Sequence, residues 1–127
     1  MDGGTRVETA RGALGRLGEE AALARYRAAG YSLLARNWRC AAGELDLVLR
    51  RGEVIVFCEV KTRAGGAFGG GHEAVTWRKQ RKLRQLAEVF LAGLRAEGPS
   101  VAVRFDVASV EARPGTRPVV EVFEDAF

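Results

Sequence analysis

The chain has 127 residues, 47% of them apolar, with 20 Lys or Arg against 16 Asp or Glu and a formal net charge of +4. That is enough for one hydrophobic core and one domain, and 28% charged residues within this composition exclude a wholly disordered chain. No run approaches the roughly 18 apolar residues needed to span a bilayer, and the start lacks the basic-then-apolar order of a signal peptide, so a cytoplasmic protein without membrane attachment is expected.

Residues 1–9 show no periodicity, and a frayed start is expected there. Residues 14–29 are rich in Glu, Ala, Leu and Arg, and Gly30 stops them, which predicts a first helix. Glu19 falls on the same helical face as Ala22, Leu23 and Tyr26, an odd place for a carboxylate, while Glu20 faces away. Tyr31 to Arg39 predicts a strand, broken by Cys40-Ala41-Ala42-Gly43. Glu44 to Thr62 then predicts two strands joined by a tight turn at Arg51-Gly52. With an even loop, cross-strand partners sum to 103, so Leu45 opposes Cys58 and Asp46 opposes Phe57. Period-2 alternation puts Leu45, Leu47, Leu49, Val54, Val56, Cys58 and Val60 on one face. Glu44, Asp46, Val48, Ile55, Phe57, Glu59 and Lys61 take the other.

Residues 64–72 form a glycine-rich loop that lacks the spacing of a dinucleotide fingerprint. Residues 76–94 predict a second helix with Leu83, Leu86, Ala87, Phe90, Leu91 and Leu94 as its core stripe. Gly98-Pro99-Ser100 ends it, Val101 to Val110 alternates as a fourth strand, and Val119 to Phe123 follows the Pro114-Gly115 turn. The order is α-β-β-β-α-β-β, with no internal repeat.

Cys40, Cys58 and the single histidine, His72, do not supply the four ligands of a zinc site, and two free thiols suit a reducing compartment. His72 reads as a loop residue, Cys58 as an inert member of the apolar face, and Asp106 as a structural hydrogen-bonding group. Asp46, Glu59 and Lys61 are different. Glu59 and Lys61 lie two apart on a strand whose apolar neighbours place it mid-sheet, with Asp46 diagonally across. Charges there are costly without partners, and two close carboxylates repel unless a divalent cation joins them. Mg²⁺ takes one or two carboxylates, keeps several waters and is completed by phosphates. Lys61 beside it could orient or deprotonate the attacking water, or stabilise a pentavalent oxyanion. The bland alternative is a Glu59–Lys61 ion pair on a solvated strand.

Gly43-Glu44-Leu45-Asp46-Leu47, Phe57-Cys58-Glu59-Val60-Lys61-Thr62-Arg63 and Ala74-Val75-Thr76 with Arg78-Lys79-Gln80 resemble the bacterial YraN-type family, classed as endonuclease-like. Ala35-Arg36-Asn37-Trp38-Arg39 and Arg104-Phe105-Asp106-Val107 extend the resemblance from about Gly15 to Val110. It points to the PD-(D/E)xK nuclease superfamily, near the archaeal Holliday-junction resolvases. The implied fold is α/β, a restriction-endonuclease-like core in α-β-β-β-α-β order, with a mixed central sheet and flanking helices in one domain. By resemblance Asp46 is the first motif's aspartate, Glu59 and Lys61 the (D/E)xK pair, and Glu19 the acidic residue of the first helix. Glu19, Asp46 and Glu59 would hold Mg²⁺ or Mn²⁺. No proline precedes Asp46, where the superfamily motif has one.

Arg78, Lys79, Arg81, Lys82 and Arg84 crowd the start of the second helix, shortly after Arg63. Cations there oppose the helix dipole, an arrangement easier to understand when a polyanion lies across it. Arg63, Arg78, Lys79, Arg81 and Lys82 are therefore expected on phosphates, with Gln80 near backbone or bases. The alternative is a solvated face in a chain with 17 Arg and 3 Lys. Trp77 reads as an apolar anchor for the helix, with a base-stacking platform as the alternative. The expectation is a metal-dependent DNA endonuclease, acting as a homodimer by analogy with resolvases. The rival is a nucleic-acid-binding module whose acidic cluster no longer turns over, and an RNA-directed nuclease fits the same phosphate contacts.

Overall fold

Helix α1 (Ala10–Ala28) starts earlier than periodicity suggests because Thr9 caps it, its hydroxyl accepting from the Gly12 amide at 2.9 Å. It ends where Gly30 adopts φ +92°, and the chain turns into β1 (Ser32–Cys40). Then follow β2 (Gly43–Arg51), β3 (Val54–Ala64), α2 (Trp77–Leu94), β4 (Ala102–Ala112) and β5 (Val119–Phe123). The computed structural model describes residues 9–65, 75–94 and 101–127. The expected frayed start up to residue 8, most of the glycine-rich loop with His72, and the Gly98-Pro99-Ser100 stop lie outside them.

The strands form one mixed sheet in the order β1-β2-β3-β4-β5. Only β3 and β4 run parallel, joined through α2, and β3 occupies the centre as its apolar run predicts. The β2–β3 register differs from the expected one. Leu47 pairs with Cys58 and Arg51 with Val54, so the two-residue loop is Gly52-Glu53. Gly52 takes φ +61° at the first loop position, where a type II′ hairpin turn wants glycine. The slip is two residues, so the side chains keep their faces.

The two helices cover opposite faces. Ala22, Leu23 and Tyr26 of α1 pack on Leu47, Leu49, Val56, Cys58, Ala108 and Val110. Leu83, Leu86 and Ala87 of α2 pack on Leu45, Val48, Ile55, Phe57, Phe105 and Val107. Burying each such aliphatic side chain contributes roughly 1.5–3 kcal/mol. Leu45 departs from strict alternation: it lies in the α2 layer while Leu47 lies under α1. The break falls at Asp46. The same break occurs across the ladder between Arg36 and Trp38, around Asn37, whose backbone is left-handed at φ 51°. Asn tolerates that conformation better than most residues.

Asp106 is fully buried and structural, as read from the sequence. It accepts from Tyr26 Oη at 2.6 Å, from Arg104 Nε and Nη2 at 2.9 Å each, and from the Asp125 amide at 3.0 Å. Cys40 and Cys58 are both free, and burial pushes the Cys58 thiol well above its ordinary range, which keeps it inert.

Candidate active site

The β2–β3 ladder stops at Leu47–Cys58, with Asp46 and Glu59 the next residues on the two strands. There the Val60 amide donates to Asp46 Oδ2 at 2.9 Å instead of to a β2 carbonyl. Two strands thus part around a carboxylate that caps one of them, and Glu59 lies close enough for its charge to act on Asp46. Lys61 follows Glu59 in phase on the same side of β3. Among the described residues neither Asp46 nor Lys61 makes an ion pair.

Burial, and next the charge of Glu59, raise the Asp46 pKa to about 7; Glu19 and Glu44 add to the rise, and the Val60 amide opposes it. A carboxyl strained in this way gains from a cation. The donor set consists of hard oxygens, two carboxylates with one of them lacking a counter-charge, and that suits Mg²⁺ or Mn²⁺. Among the described residues no three His, Cys, Asp or Glu side chains converge closely enough to hold a metal ion together. The core of the site is therefore the Asp46–Glu59 pair, with Glu19 within electrostatic reach of Asp46.

Glu19 is largely buried and its two oxygens are engaged, Oε1 by Arg36 Nε at 3.3 Å and Oε2 by Asn37 Nδ2 at 3.0 Å. Arg36 also binds exposed Glu20 at 2.6 Å, so Glu20, expected to face away, helps tie α1 to β1. Sequence reading gave Arg36 and Asn37 no role. The one available signal was an arginine and a turn-favouring asparagine inside a strand.

The basic residues divide among different tasks. Lys79 faces inward and places Nζ 3.5 Å from Glu59 Oε2. Lys82 Nζ donates to the Ala42 carbonyl at 3.0 Å, and Gln80 Nε2 to the Val75 carbonyl at 2.9 Å, so both help seat α2. Thr76 caps the helix, its hydroxyl accepting from the Lys79 amide at 3.1 Å. Arg63 lies on β3 opposite Glu111 of β4, in phase with Glu59 and Lys61. Arg78, Arg81, Lys82 and Arg84 line a shallow groove on the outer side of α2 together with Trp77. Trp77 is 72% exposed and belongs to neither core cluster of the described residues, which corrects its reading as an apolar anchor. The signal was present: Trp77 stands nine residues before Leu86, about 180° around the helix from the residue that meets the sheet.

The sequence matches the family described as "Uncharacterised protein family UPF0102" over residues 18–110. It is 53% identical over 119 residues to a UPF0102 protein of Frankia alni, covering 93% of this chain and 97% of that one. A UPF0102 protein of Nocardia farcinica is 48% identical over 115 residues, covering 91% and 89%, and one of Streptomyces coelicolor is 47% identical over 120 residues, covering 94% and 92%. The matched span takes in Glu19, Asp46, Glu59, Lys61 and the basic start of α2.

Proposed function

The chain belongs to the UPF0102 family, and from that premise and the Asp46–Glu59 fork we propose that it is a metal-dependent endonuclease hydrolysing phosphodiester bonds in DNA. The observation that carries this reading is Asp46, a half-buried carboxyl raised in pKa by desolvation and by Glu59 and without an ionic partner among the described residues. Such a group is unfavourable for the fold and useful to a cation site. Asp46 and Glu59 would hold the ion, and Glu19 supports them from α1. When bound, Mg²⁺ or Mn²⁺ screens the phosphodiester and makes water more acidic. Lys61 orients the attacking water or stabilises charge on the phosphorane oxygens, and the outward cations of α2 carry the strand.

The resolvase resemblance makes branched DNA the substrate form to try first, with a homodimer making two symmetric cuts in a reducing cytoplasm. No helix among the described residues is long and apolar enough to cross a membrane. One observation favours the rival binding module: Lys79 already sits against Glu59, supplying a fixed cation where an ion would otherwise be needed.

The deciding experiment is cleavage of linear, flapped and four-way-junction DNA with Mg²⁺ or Mn²⁺, run beside Lys61→Ala. The endonuclease reading expects wild-type cleavage and a loss of about 10²-fold or more in the variant, with affinity and fold retained. Wild-type binding without cleavage on any DNA or RNA form would leave the binding module.

A further inference from the structure

Trp77 and the cations beside it form a surface that phosphate binding alone does not account for. The indole is 72% exposed at the start of α2, whereas bulky aromatics are usually well buried. Arg81 and Arg84 follow it at i+4 and i+7, on one stripe of the helix, and Arg78 and Lys82 flank that stripe. Arg84 is fixed in place, its guanidinium 4.9 Å from the ring centre of Phe105 and 5.5 Å from that of Phe127. Among the lining residues Glu88 is the one acid against four cations. One residue pair further along the same turn, Lys79 reaches inward to Glu59, so the groove and the carboxylate site share the first turn of α2.

The ligand that fits must bring negative charge at regular intervals together with flat aromatic faces. A duplex offers the charge and hides its base faces in the stack. An unpaired strand offers both. We propose that this groove binds an unpaired DNA strand, one base stacked on Trp77 and its neighbouring phosphates on Arg78, Arg81 and Lys82. The proposal rests on the nuclease reading for the identity of the polymer as DNA, and it narrows that reading to substrates with a single-stranded segment beside the cleaved bond.

The test is fluorescence anisotropy in EDTA, with labelled single-stranded DNA, duplex DNA of the same length and single-stranded RNA, on wild type, Trp77→Ala and Trp77→Phe. Circular dichroism checks the fold of each variant. Trp77→Ala should lose about 5- to 150-fold affinity for single-stranded DNA, the range of one base-stacking contact, and no more than about 2-fold for duplex. Trp77→Phe should keep most of the affinity. Equal losses on both DNA forms, or none on either, would overturn the stacking proposal and leave the nuclease reading standing on its cleavage assay. Tighter binding of RNA than of DNA would overturn the choice of DNA. If wild type bound no nucleic acid and a poly-glutamate peptide occupied the groove instead, the stacking proposal and the nucleic-acid reading would fall together.

Discussion

Gly18 of α1 and Thr62 of β3 touch so closely that a Cβ on Gly18 would overlap Thr62 Oγ1 and stand 2.8 Å from both Thr62 Cβ and Cγ2. A β-branched side chain in a central strand has little freedom to give way. The missing side chain is what lets α1 lie against β3 one residue from Lys61, and it sets the height at which Glu19 sits above the sheet.

Gly18→Ala should therefore destabilise the protein by about 1–3 kcal/mol despite the better helix propensity of alanine. Urea denaturation measures it. Adding Thr62→Ala removes Oγ1 and Cγ2, and the double variant should be more stable than the two single losses added together.

The raised pKa of Asp46 makes stability depend on pH in a definite direction. Between the ordinary carboxylate pKa and about 7 the native state keeps a proton that the unfolded chain has released, so stability falls as pH rises through that window. Asp46→Asn should flatten the slope and raise stability at pH 8 by up to about 4 kcal/mol in EDTA. Thermal melts from pH 4 to 8 test this. On the proposed function, Mn²⁺ should recover much of the wild-type loss and little in the variant.

Asp106 holds together α1, β4 and the segment after β5. Asp106→Ala leaves Arg104 and the Tyr26 hydroxyl without their acceptor and should cost about 3–5 kcal/mol. Tyr26→Phe removes one bond to a charged group and should cost about 1.5–3 kcal/mol. Because no hydrogen bond or ion pair among the described residues joins this network to Asp46 or Glu59, Tyr26→Phe should leave divalent-ion binding unchanged by calorimetry.

The cations of α2 should separate by function. Replacing Arg78, Arg81 and Lys82 together by Gln should flatten the dependence of log affinity on log salt by about two to three units on duplex DNA, if each meets a phosphate. Lys79→Gln should change that slope little. It removes a positive charge 3.5 Å from Glu59, so its signature is tighter Mn²⁺ binding without DNA, by a factor of about 2–5.

Much of this architecture was legible because the side-chain pattern has a strict period. Glu44 to Thr62 announced a hairpin, and the faces of Val54 through Val60 came out as read. The register did not, because period 2 is blind to a two-residue slip. Only the backbone demand of Gly52 at the first loop position fixes it, and with that slip the ladder ends just before Asp46 and Glu59. The break in alternation at Asp46 coincides with the left-handed backbone of Asn37 on the neighbouring strand, beyond the β1–β2 turn, and no local pattern reports it. Glu19 showed itself as a carboxylate on an apolar helical face. Its partners Arg36 and Asn37 emerge only when β1 is laid against α1. Trp77 is the exception: helical counting places it outward, and an aromatic residue at a helix start does not by itself imply packing.

The bond from the Val60 amide to Asp46 Oδ2 joins an ionisable group to a main-chain proton at the centre of the sheet. That proton is a resident reporter. Its nuclear magnetic resonance frequency should move as the carboxyl gains or loses charge, and its exchange with deuterated solvent should slow when the carboxylate accepts most strongly. The occupancy of the fork can then be followed at one backbone position, in the unlabelled native chain except for ¹⁵N, without a substrate and without altering a side chain.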